Sequence, residues 1–234
     1  MTSIYTSGRY LEMNRTWHTE DSPWKAEQIR RLIQRNGLRP KCVGEIGCGA
    51  GVILDELSKQ ACFQDVLFDG YDISPQAIEL AQRISSERIH FFCEDLLAET
   101  NVKRFDLLLA IDVFEHVPDY LGFLKKCREK AQYKIYHVPL DIHVSSVLRN
   151  AFIKGRYTIG HLHYFTADSA LATLKDSGHE ILDYAYTNAA MELFTKHPSI
   201  KKAVANVPRW LFSQLSVRFT ARLFGGYSLL VLAE

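Results

Sequence analysis

The sequence lacks an excess of either charge, a long apolar run and a recognisable leader at its start. Its 28 Lys and Arg residues nearly balance its 27 Asp and Glu residues, so the chain has no basic footprint for nucleic acid. No apolar run approaches the roughly 20 residues that cross a bilayer. The opening residues, MTSIYTSGRY, have no charged start followed by an apolar core, so we expect a cytoplasmic protein without a secretory signal.

Cysteine is scarce and irregularly spaced. The five cysteines are an odd number, and the sequence contains no CxxC pair. A disulfide framework or a zinc site needs paired spacing, so the sequence predicts neither. Several cysteines fall in or beside predicted strands, where cysteine packs as a small apolar side chain.

Strand-like and helix-like segments alternate along most of the chain. The apolar runs DLLLAI and SLLVLA are typical of strands that are covered on both faces. Because parallel strands need crossover connections, the alternation predicts an α/β fold with a doubly wound, mostly parallel sheet and helices on both faces. The segments predicted as strands are 41–46, 66–71, 89–93, 105–111, 133–138, 180–186 and 227–233.

Three segments fall outside this alternation: residues 1–40, 140–165 and 188–226. We interpret residues 1–40, with Trp17 and Trp24, as an N-terminal lid over a main domain at 41–234. The other two segments are predicted as helical cap insertions within that domain. At 234 residues the chain is long enough to bury one sizeable core.

A glycine-rich stretch, VGEIGCGAG at residues 43–51, directly follows the first predicted strand. Its glycines permit a tight turn and let a ligand approach the backbone closely. The spacing is GxGxG rather than the GxGxxG of dinucleotide-binding folds, and no GK[ST] ending of a phosphate-binding loop follows. The loop therefore predicts a nucleotide-like ligand and leaves its identity open.

Acidic and apolar side chains follow the other predicted strands, at the edge where an open α/β sheet binds its ligands. Asp72, about 20 residues past the glycine loop, is placed to accept both hydroxyls of a ribose. Buried charge is costly unless it is partnered, so a cluster after the apolar fourth strand indicates a site. The further candidates are Tyr71 and Ile73 beside Asp72, Asp95 and Leu96 in EDLL, and Asp112, Glu115 and His116 in DVFEH.

Taken together, these segments resemble the class I S-adenosylmethionine-dependent methyltransferases, of the type found in ubiquinone and menaquinone biosynthesis. VGEIGCGAG is similar to their first motif, E/DxGxGxG, and YDIS to their second. EDLL matches the adenine-contacting position, and FDLLLAIDVFEHVPD resembles the fourth motif. GHLHYFT is similar to the GHxxxFT element of that subgroup. Five motifs in order cover residues 42 to about 138, with support further along the chain.

The resemblance implies both a fold and a cofactor site. The family fold is a Rossmann-like, seven-stranded sheet whose last strand is antiparallel, and YSLLVLAE fits that strand. S-adenosylmethionine is the implied cofactor. The residues implied to bind it are Glu45, Gly47, Gly49, Gly51 and Asp112 at the methionine part, Asp72 with Ile73 beside it at the ribose, and Asp95 and Leu96 at the adenine.

The implied reaction is in-line transfer of the methyl group to a small-molecule acceptor. The sulfonium already activates the methyl group, so the protein must align the acceptor and, for a hydroxyl, supply a base. His116 and His161 are the predicted catalytic residues. His116 is the leading candidate, since the family places the fourth motif on the acceptor side, and His161 competes with His137, His143 and His163 beyond the fifth strand. His161 and His163 form an HxH pair, but two ligands on one segment without a spaced carboxylate predict no metal site.

The sequence does not identify the methyl acceptor. An oxygen nucleophile on a glycan, a lipid-linked intermediate or a secondary metabolite is the hypothesis. Segment 188–226 mixes Lys and Arg with aromatic residues, which is typical of contact with an anionic acceptor or a membrane surface, or of a solvated helical cap. Both a monomer and a homodimer remain open.

Two other functions remain as alternatives. An NAD-dependent dehydrogenase is disfavoured by the GxGxG spacing and by the lack of a separate substrate domain. A catalytically inactive, methyltransferase-like binding subunit would keep the acidic residues at the strand ends without turnover. Binding of S-adenosylmethionine would exclude the dehydrogenase, and methyl transfer would exclude the inactive binding subunit.

Overall fold

A computed structural model describes residues 19–194 and 200–234 of the chain. Its centre is a seven-stranded sheet with the strand order β3-β2-β1-β4-β5-β7-β6. The strands are β1 (Cys42–Ile46), β2 (Leu67–Tyr71), β3 (Ile89–Phe92), β4 (Phe105–Ile111), β5 (Ala131–Pro139), β6 (Ile181–Thr187) and β7 (Ser228–Ala233). The predicted strands are confirmed, with β5 longer at both ends than expected.

Helices connect the strands and fill the segments outside the alternation. The α-helices are α1 (Ser22–Arg35), α2 (Val52–Ser58), α3 (Pro75–Ala81), α4 (Tyr120–Lys130), α5 (Val144–Leu148), α6 (Ala151–Thr158), α7 (Ala167–Asp176), α8 (Ala189–Glu192), α9 (Ile200–Ser213) and α10 (Val217–Phe224). Short 3₁₀ turns lie at Thr19–Asp21, Ala61–Phe63, Gln82–Ile84 and Phe114–His116.

The sheet topology opens a crevice at one point. Every pairing among β1 to β5 is parallel, whereas β7 runs antiparallel to both β5 and β6. The chain winds outward from β1 to β3 and then returns beside β1 as β4. Loops after β1 and β4 therefore diverge, which makes this the ligand-binding switch point of a doubly wound sheet.

Local sequence signals set several helix starts. Ser74 caps α3, and its hydroxyl accepts a hydrogen bond from the Ala77 N–H at 3.4 Å. Thr166 caps α7 in a reciprocal arrangement with Ser169. The N-cap of α1 is Asp21, and Pro23 lies in the first turn of that helix.

Apolar side chains cover the sheet on both faces. Helices α1, α2 and α3 pack on one face, where Ile29, Leu54 and Ile78 are buried. Helices α4, α7 and α10 pack on the other, around Leu124 and Leu174. Because both faces are covered, the central strands are apolar throughout, as their sequences predict.

The segments predicted as lid and caps are largely helical where they are described. Residues 1–18, including Trp17, lie outside the described residues. One face of α1 packs into the core, and its Trp24 and Lys25 border the ligand crevice. Helices α5 and α6 occupy the first cap segment, and α8, α9 and α10 the second. None of the helices in the described ranges has the length and apolar character needed to cross a membrane.

Candidate active site

A cavity of about 660 Å³ lies over the crevice between β1 and β4. This volume is within the range of roughly 300–1,000 Å³ that is usual for small-molecule sites. Of the residues predicted for the site, all except Gly51 and Glu115 line this cavity. One side of it is formed by the glycine loop, and the other by the histidines that follow β4 and β5.

The glycine loop turns tightly at the end of β1. Gly47 and Gly49 have φ angles of 68° and 54°, in the left-handed region that favours glycine. The Gly47 and Cys48 N–H groups both donate to the Tyr71 carbonyl oxygen, at 2.8 and 3.1 Å, which joins the loop to the end of β2. Gly51 packs inward, where an added Cβ would lie 2.3 Å from the Phe91 ring. Its contribution to the site is therefore the shape of the loop.

Asp72 connects the glycine loop to the start of α3. Its Oδ2 accepts from the Gly49 N–H at 3.0 Å, and its Oδ1 from the Ser74 N–H at 2.8 Å. Burial raises the pKa of this carboxyl, and the two N–H donors counteract that effect. A carboxylate offers about four acceptor positions, so two remain for further donors such as ribose hydroxyls.

Glu45 lies at the bottom of the cavity with 1% of its surface exposed. Its Oε2 accepts no hydrogen bond from the residues that the structure describes. Burial raises the pKa of Glu45 well above its ordinary value, although the charge of Lys25 opposes the rise. A buried acceptor without a partner is costly, and a cationic or N–H-bearing ligand would satisfy it.

Asp112 is the most strongly paired carboxylate of the site. It has a φ of 55°, so the chain turns sharply as it leaves β4. Lys25 Nζ lies 2.7 Å from its Oδ2, and the His137 Nδ1–H donates to its Oδ1 at 2.6 Å. Burial alone would raise the pKa of Asp112, but the charges of His137 and Lys25 hold it well below its ordinary value.

The side chains predicted to face the adenine form the outer edge of the cavity. Ile73 is 49% exposed and offers an apolar surface, while Leu96 is buried behind it. Asp95 is exposed, and its Oδ1 accepts from the Leu97 N–H at 2.9 Å. An apolar edge beside a solvent-accessible carboxylate suits a planar base that carries an amino group.

His116 and His161 face each other on the opposite side of the cavity, with ring centroids 4.9 Å apart. The His116 Nδ1–H donates to the Gly160 carbonyl oxygen at 3.0 Å, and the His161 Nδ1–H to Asp141 Oδ2 at 2.6 Å. Burial lowers the pKa of His116 to about 4. Glu115 is fully buried beneath the pair, and burial raises the pKa of its carboxyl well above the ordinary value.

Two residues of this site, Lys25 and Asp141, were not predicted from the sequence. Lys25 reaches Asp112 from α1, next to the lid residue Trp24, whose ring lies edge-on to that of the candidate base His137 with centroids 6.3 Å apart. Asp141 was missed because it follows β5 in a segment interpreted only as a cap. Its position just after a strand, as with Asp72, is the signal that would have marked it.

A scan against family models matches residues 22–184 to a methyltransferase domain. Among curated proteins, the ubiquinone biosynthesis O-methyltransferase of Haemophilus ducreyi is 30% identical over 136 residues, which are 51% of this chain and 56% of that protein. The corresponding protein of Coxiella burnetii strain RSA 493 is 27% identical over 104 residues, 43% of each chain. This chain therefore spans about half the length of these relatives.

Solved structures share the fold at low sequence identity. The N-methyltransferase NodS from Bradyrhizobium japonicum, in complex with S-adenosylhomocysteine, has a TM-score of 0.60 at 16% identity over 96% of both chains. A sarcosine dimethylglycine methyltransferase homologue from Galdieria sulphuraria has a TM-score of 0.63 at 14% identity, covering 89% of this chain and 83% of its own. Magnesium protoporphyrin IX methyltransferase from Synechocystis, with bound S-adenosylhomocysteine, has a TM-score of 0.59 at 18% identity over 90% and 82%.

Proposed function

We propose that this chain, which belongs to the class I S-adenosylmethionine-dependent methyltransferases, transfers a methyl group to an oxygen atom of a small-molecule acceptor. The observation that supports this most directly is the two-sided cavity over the β1–β4 crevice. The glycine loop and three acidic residues form one side, and a buried group of histidines forms the other. A donor and an acceptor bound on these two sides would meet in the middle.

The donor side suits the polarity of S-adenosylmethionine along its whole length. Glu45 and Asp112 are placed for the methionine part with its ammonium group, Asp72 for the ribose hydroxyls, and Ile73 with Asp95 for the adenine. The sulfonium supplies the electrophilic methyl group when the cofactor is bound. The chain's own task is to hold the acceptor in line with it and exclude water, which contributes roughly 7–11 kcal/mol in well-aligned reactions.

The acceptor side suits a hydroxyl group. Methylation of a hydroxyl requires that its proton leave, and His116 and His161 are the polar groups placed to handle that proton. The relatives that match part of this chain bear the name ubiquinone biosynthesis O-methyltransferase, which supports oxygen as the atom methylated. We therefore propose that the acceptor oxygen lies between these two imidazoles and the sulfonium.

We also propose that the acceptor carries a lipid tail and is taken from a membrane surface. Helix α9 exposes apolar side chains at helical spacing, including Val204, Val207, Trp210 and Leu211. The sequences of α6, α9 and α10 contain Lys and Arg but no Asp or Glu, and two of these cations, Arg218 and Arg222 of α10, pair with Asp168 on α7. A cationic helical surface with exposed aromatic and aliphatic groups suits an anionic membrane interface.

Residues 1–40 are proposed to act as a lid over the donor. Trp24 and Lys25 project from α1 onto the cavity, and the Trp24 indole N–H donates to Glu192 Oε2 at 2.7 Å, which ties α1 to the second cap segment. Closure over a bound cofactor would exclude water from the methyl group.

Isothermal titration calorimetry and a methyl-transfer assay test the proposal. We expect saturable binding of S-adenosylhomocysteine, no binding of NAD, and transfer of labelled methyl to polyprenylated phenols. Binding of NAD alone would overturn the family reading, and cofactor binding without transfer to any oxygen acceptor would favour an inactive binding subunit. Methyl transfer to nitrogen acceptors only would refute the oxygen assignment.

Vesicle sedimentation tests the membrane proposal separately. Wild-type protein should sediment with phosphatidylglycerol vesicles more than with phosphatidylcholine vesicles, and Trp210→Ser with Leu211→Ser should weaken the association. Val102→Ser is the control, because Val102 is an exposed apolar residue in the loop before β4 and lies outside α9. Equal loss in both variants would contradict a specific surface.

A further inference from the structure

His137 contacts Asp112 through both its backbone and its side chain. It lies in β5 with 4% of its surface exposed, and the β4–β5 register pairs it with Ile111, the residue before Asp112. Its carbonyl oxygen accepts from the Asp112 N–H at 3.0 Å, and its Nδ1 lies 2.6 Å from Asp112 Oδ1. Asp112 has a φ of 55°, which few residues other than glycine adopt. One residue of the sheet therefore holds both the backbone and the carboxylate of Asp112 in this conformation.

The partners of the His137 ring determine which nitrogen carries a proton. Burial acts to raise the pKa of Asp112, but the charges of His137 and Lys25 hold it well below its ordinary value, so this group is a carboxylate at neutral pH and only accepts hydrogen bonds. Nδ1 of His137 is therefore the protonated nitrogen. Its Nε2 lies 3.0 Å from the Thr187 hydroxyl, which can accept or donate. Both ring nitrogens are engaged, so His137 is not placed to act as the base for an acceptor hydroxyl.

The sheet anchors the His137 ring on the side away from Asp112. Thr187 is the last residue of β6 and is 1% exposed, and it pairs with Ser228 at the start of β7. Its Oγ1 lies 3.4 Å from the Ser228 carbonyl oxygen, which places its hydroxyl between that oxygen and the His137 ring. Trp24 packs edge-on to the ring, with centroids 6.3 Å apart. The side chain of His137 is thus fixed by strands rather than by a loop.

The contacts of Asp112 leave its carboxylate able to bind a ligand. Lys25 Nζ lies 2.7 Å from Oδ2, while His137 occupies one position at Oδ1. A carboxylate offers about four acceptor positions, so two remain. Asp112 lines the cavity and its side chain is 24% exposed, so a donor bound in the cavity reaches these positions. An ammonium group, with its several N–H donors, suits this arrangement.

We propose that His137 is a positioning residue for the cofactor: it holds the Asp112 carboxylate toward the ammonium group of the methionine part. Because the proposed function places that ammonium at Asp112, the role of His137 rests on it. A carboxylate that is already held in place loses less conformational freedom when its ligand binds, and this preorganisation strengthens binding. His137 acts through Asp112, so it affects the amino-acid end of the cofactor and not the adenosine end.

Isothermal titration calorimetry with two ligands tests this role. S-adenosylhomocysteine carries the ammonium group, whereas methylthioadenosine has the same adenosine part and lacks the amino acid. His137→Leu should raise the Kd for S-adenosylhomocysteine by about tenfold, because a hydrogen bond to a charged group is lost, and should leave the Kd for methylthioadenosine unchanged. His179→Leu is the matched control, because His179 is also 4% exposed but binds Tyr136 and Ser177 in the core. This control should lose stability and keep both affinities.

A double-mutant comparison tests whether His137 acts through Asp112. Asp112→Gly removes the carboxylate, and glycine adopts the φ of 55° without strain. In that background His137→Leu should change the Kd for S-adenosylhomocysteine by less than about twofold, because the effects of residues that act through one contact do not add. A second loss as large as the one in the wild-type background would overturn the proposal.

Equal weakening of both ligands by His137→Leu would overturn the proposal, because it would show a general structural role, and so would an unchanged affinity for S-adenosylhomocysteine. If circular dichroism shows that His137→Leu does not fold, two closer variants decide. The amide of His137→Asn keeps a donor near the position of Nδ1, whereas the amide of His137→Gln reaches toward Thr187. The Asn variant should therefore bind S-adenosylhomocysteine about tenfold more tightly than the Gln variant, and equal affinities would overturn the proposal. A wild-type protein that binds neither ligand would refute the proposed function, whereas one that binds both and shows none of these differences between variants would refute only the role of His137.

Discussion

Replacement of Asp72 tests the donor site most directly, because this carboxylate serves the loop and the proposed ligand together. Asp72→Ala removes the acceptor for the Gly49 and Ser74 N–H groups, at 3.0 and 2.8 Å, and the acceptor proposed for the ribose. Hydrogen bonds to a charged group contribute about 1.5–3 kcal/mol each. Loss of one such bond to the ribose corresponds to a roughly 10–150-fold weaker affinity, at about 1.4 kcal/mol per factor of ten.

Two variants of Asp72 should weaken cofactor binding to different extents. Asp72→Asn keeps one oxygen acceptor and should raise the Kd for S-adenosylhomocysteine by about tenfold. Asp72→Ala also frees the glycine loop and should raise the Kd by about 100-fold or more. Isothermal titration calorimetry measures the Kd of both variants and of the wild-type protein at the same pH, near 7.

Asp69→Asn provides the matched control. Asp69 lies on β2, three residues before Asp72, and is similarly buried, but its Oδ2 faces Lys103 Nζ at 2.7 Å on the far side from the cavity. This variant should lose stability and keep the cofactor affinity. An Asp72→Ala protein that binds the cofactor as tightly as wild type would refute the ribose assignment.

Three further predictions concern the same cavity. Burial raises the pKa of Glu45, so above about pH 4.5 the unfolded chain loses this proton while the folded chain keeps it. The free energy of unfolding should therefore fall as the pH rises. Urea unfolding from about pH 5 to 8 should show a shallower fall for Glu45→Gln than for the wild-type protein. Gly51→Ala should cost about 2–5 kcal/mol in urea unfolding, since strain at φ 77° adds to a clash with buried Phe91, whereas Gly37→Ala, with φ 65° and open space, should cost only about 1–2 kcal/mol. Asp112→Asn tolerates the φ of 55° but leaves the Lys25 charge without its carboxylate, so calorimetry should show weaker S-adenosylhomocysteine binding.

The positions of the residues proposed for the donor side were predictable from the sequence because these residues follow strands directly. Once the strands and their parallel order are recognised, Asp72 and Asp112 must come to the same edge of the sheet. Periodicity and apolar content carry that information locally. The seven strands were predictable for the same reason, whereas the antiparallel last strand was implied by the family resemblance; the structure confirms both.

The acceptor side was less predictable because it depends on contacts between distant segments. His137 pairs with Asp112 only because β4 and β5 are neighbours in register, and Lys25 joins them from α1 before the first strand. Asp141 pairs with His161 across 20 residues of cap segment. A single sequence records no such pairing, since neither the helix period nor the strand period specifies which side chains of a loop will meet.

Three carboxyl groups around the cavity show why function rather than stability explains these positions. Burial raises the pKa values of Glu45, Asp72 and Glu115, so the charged form of each carboxyl is less favourable in the folded chain than in water. A glutamine or an apolar residue of similar volume would satisfy the fold at least as well at Glu45 and Glu115. Each of the two has at least one oxygen without a hydrogen-bond donor among the described residues, and both lie beside the cavity where a cationic ligand would supply the missing partner. These residues destabilise the unliganded chain, and a ligand that hydrogen-bonds to them removes that cost. Such a ligand should therefore raise the free energy of unfolding by more than contacts with the glycine loop alone would give.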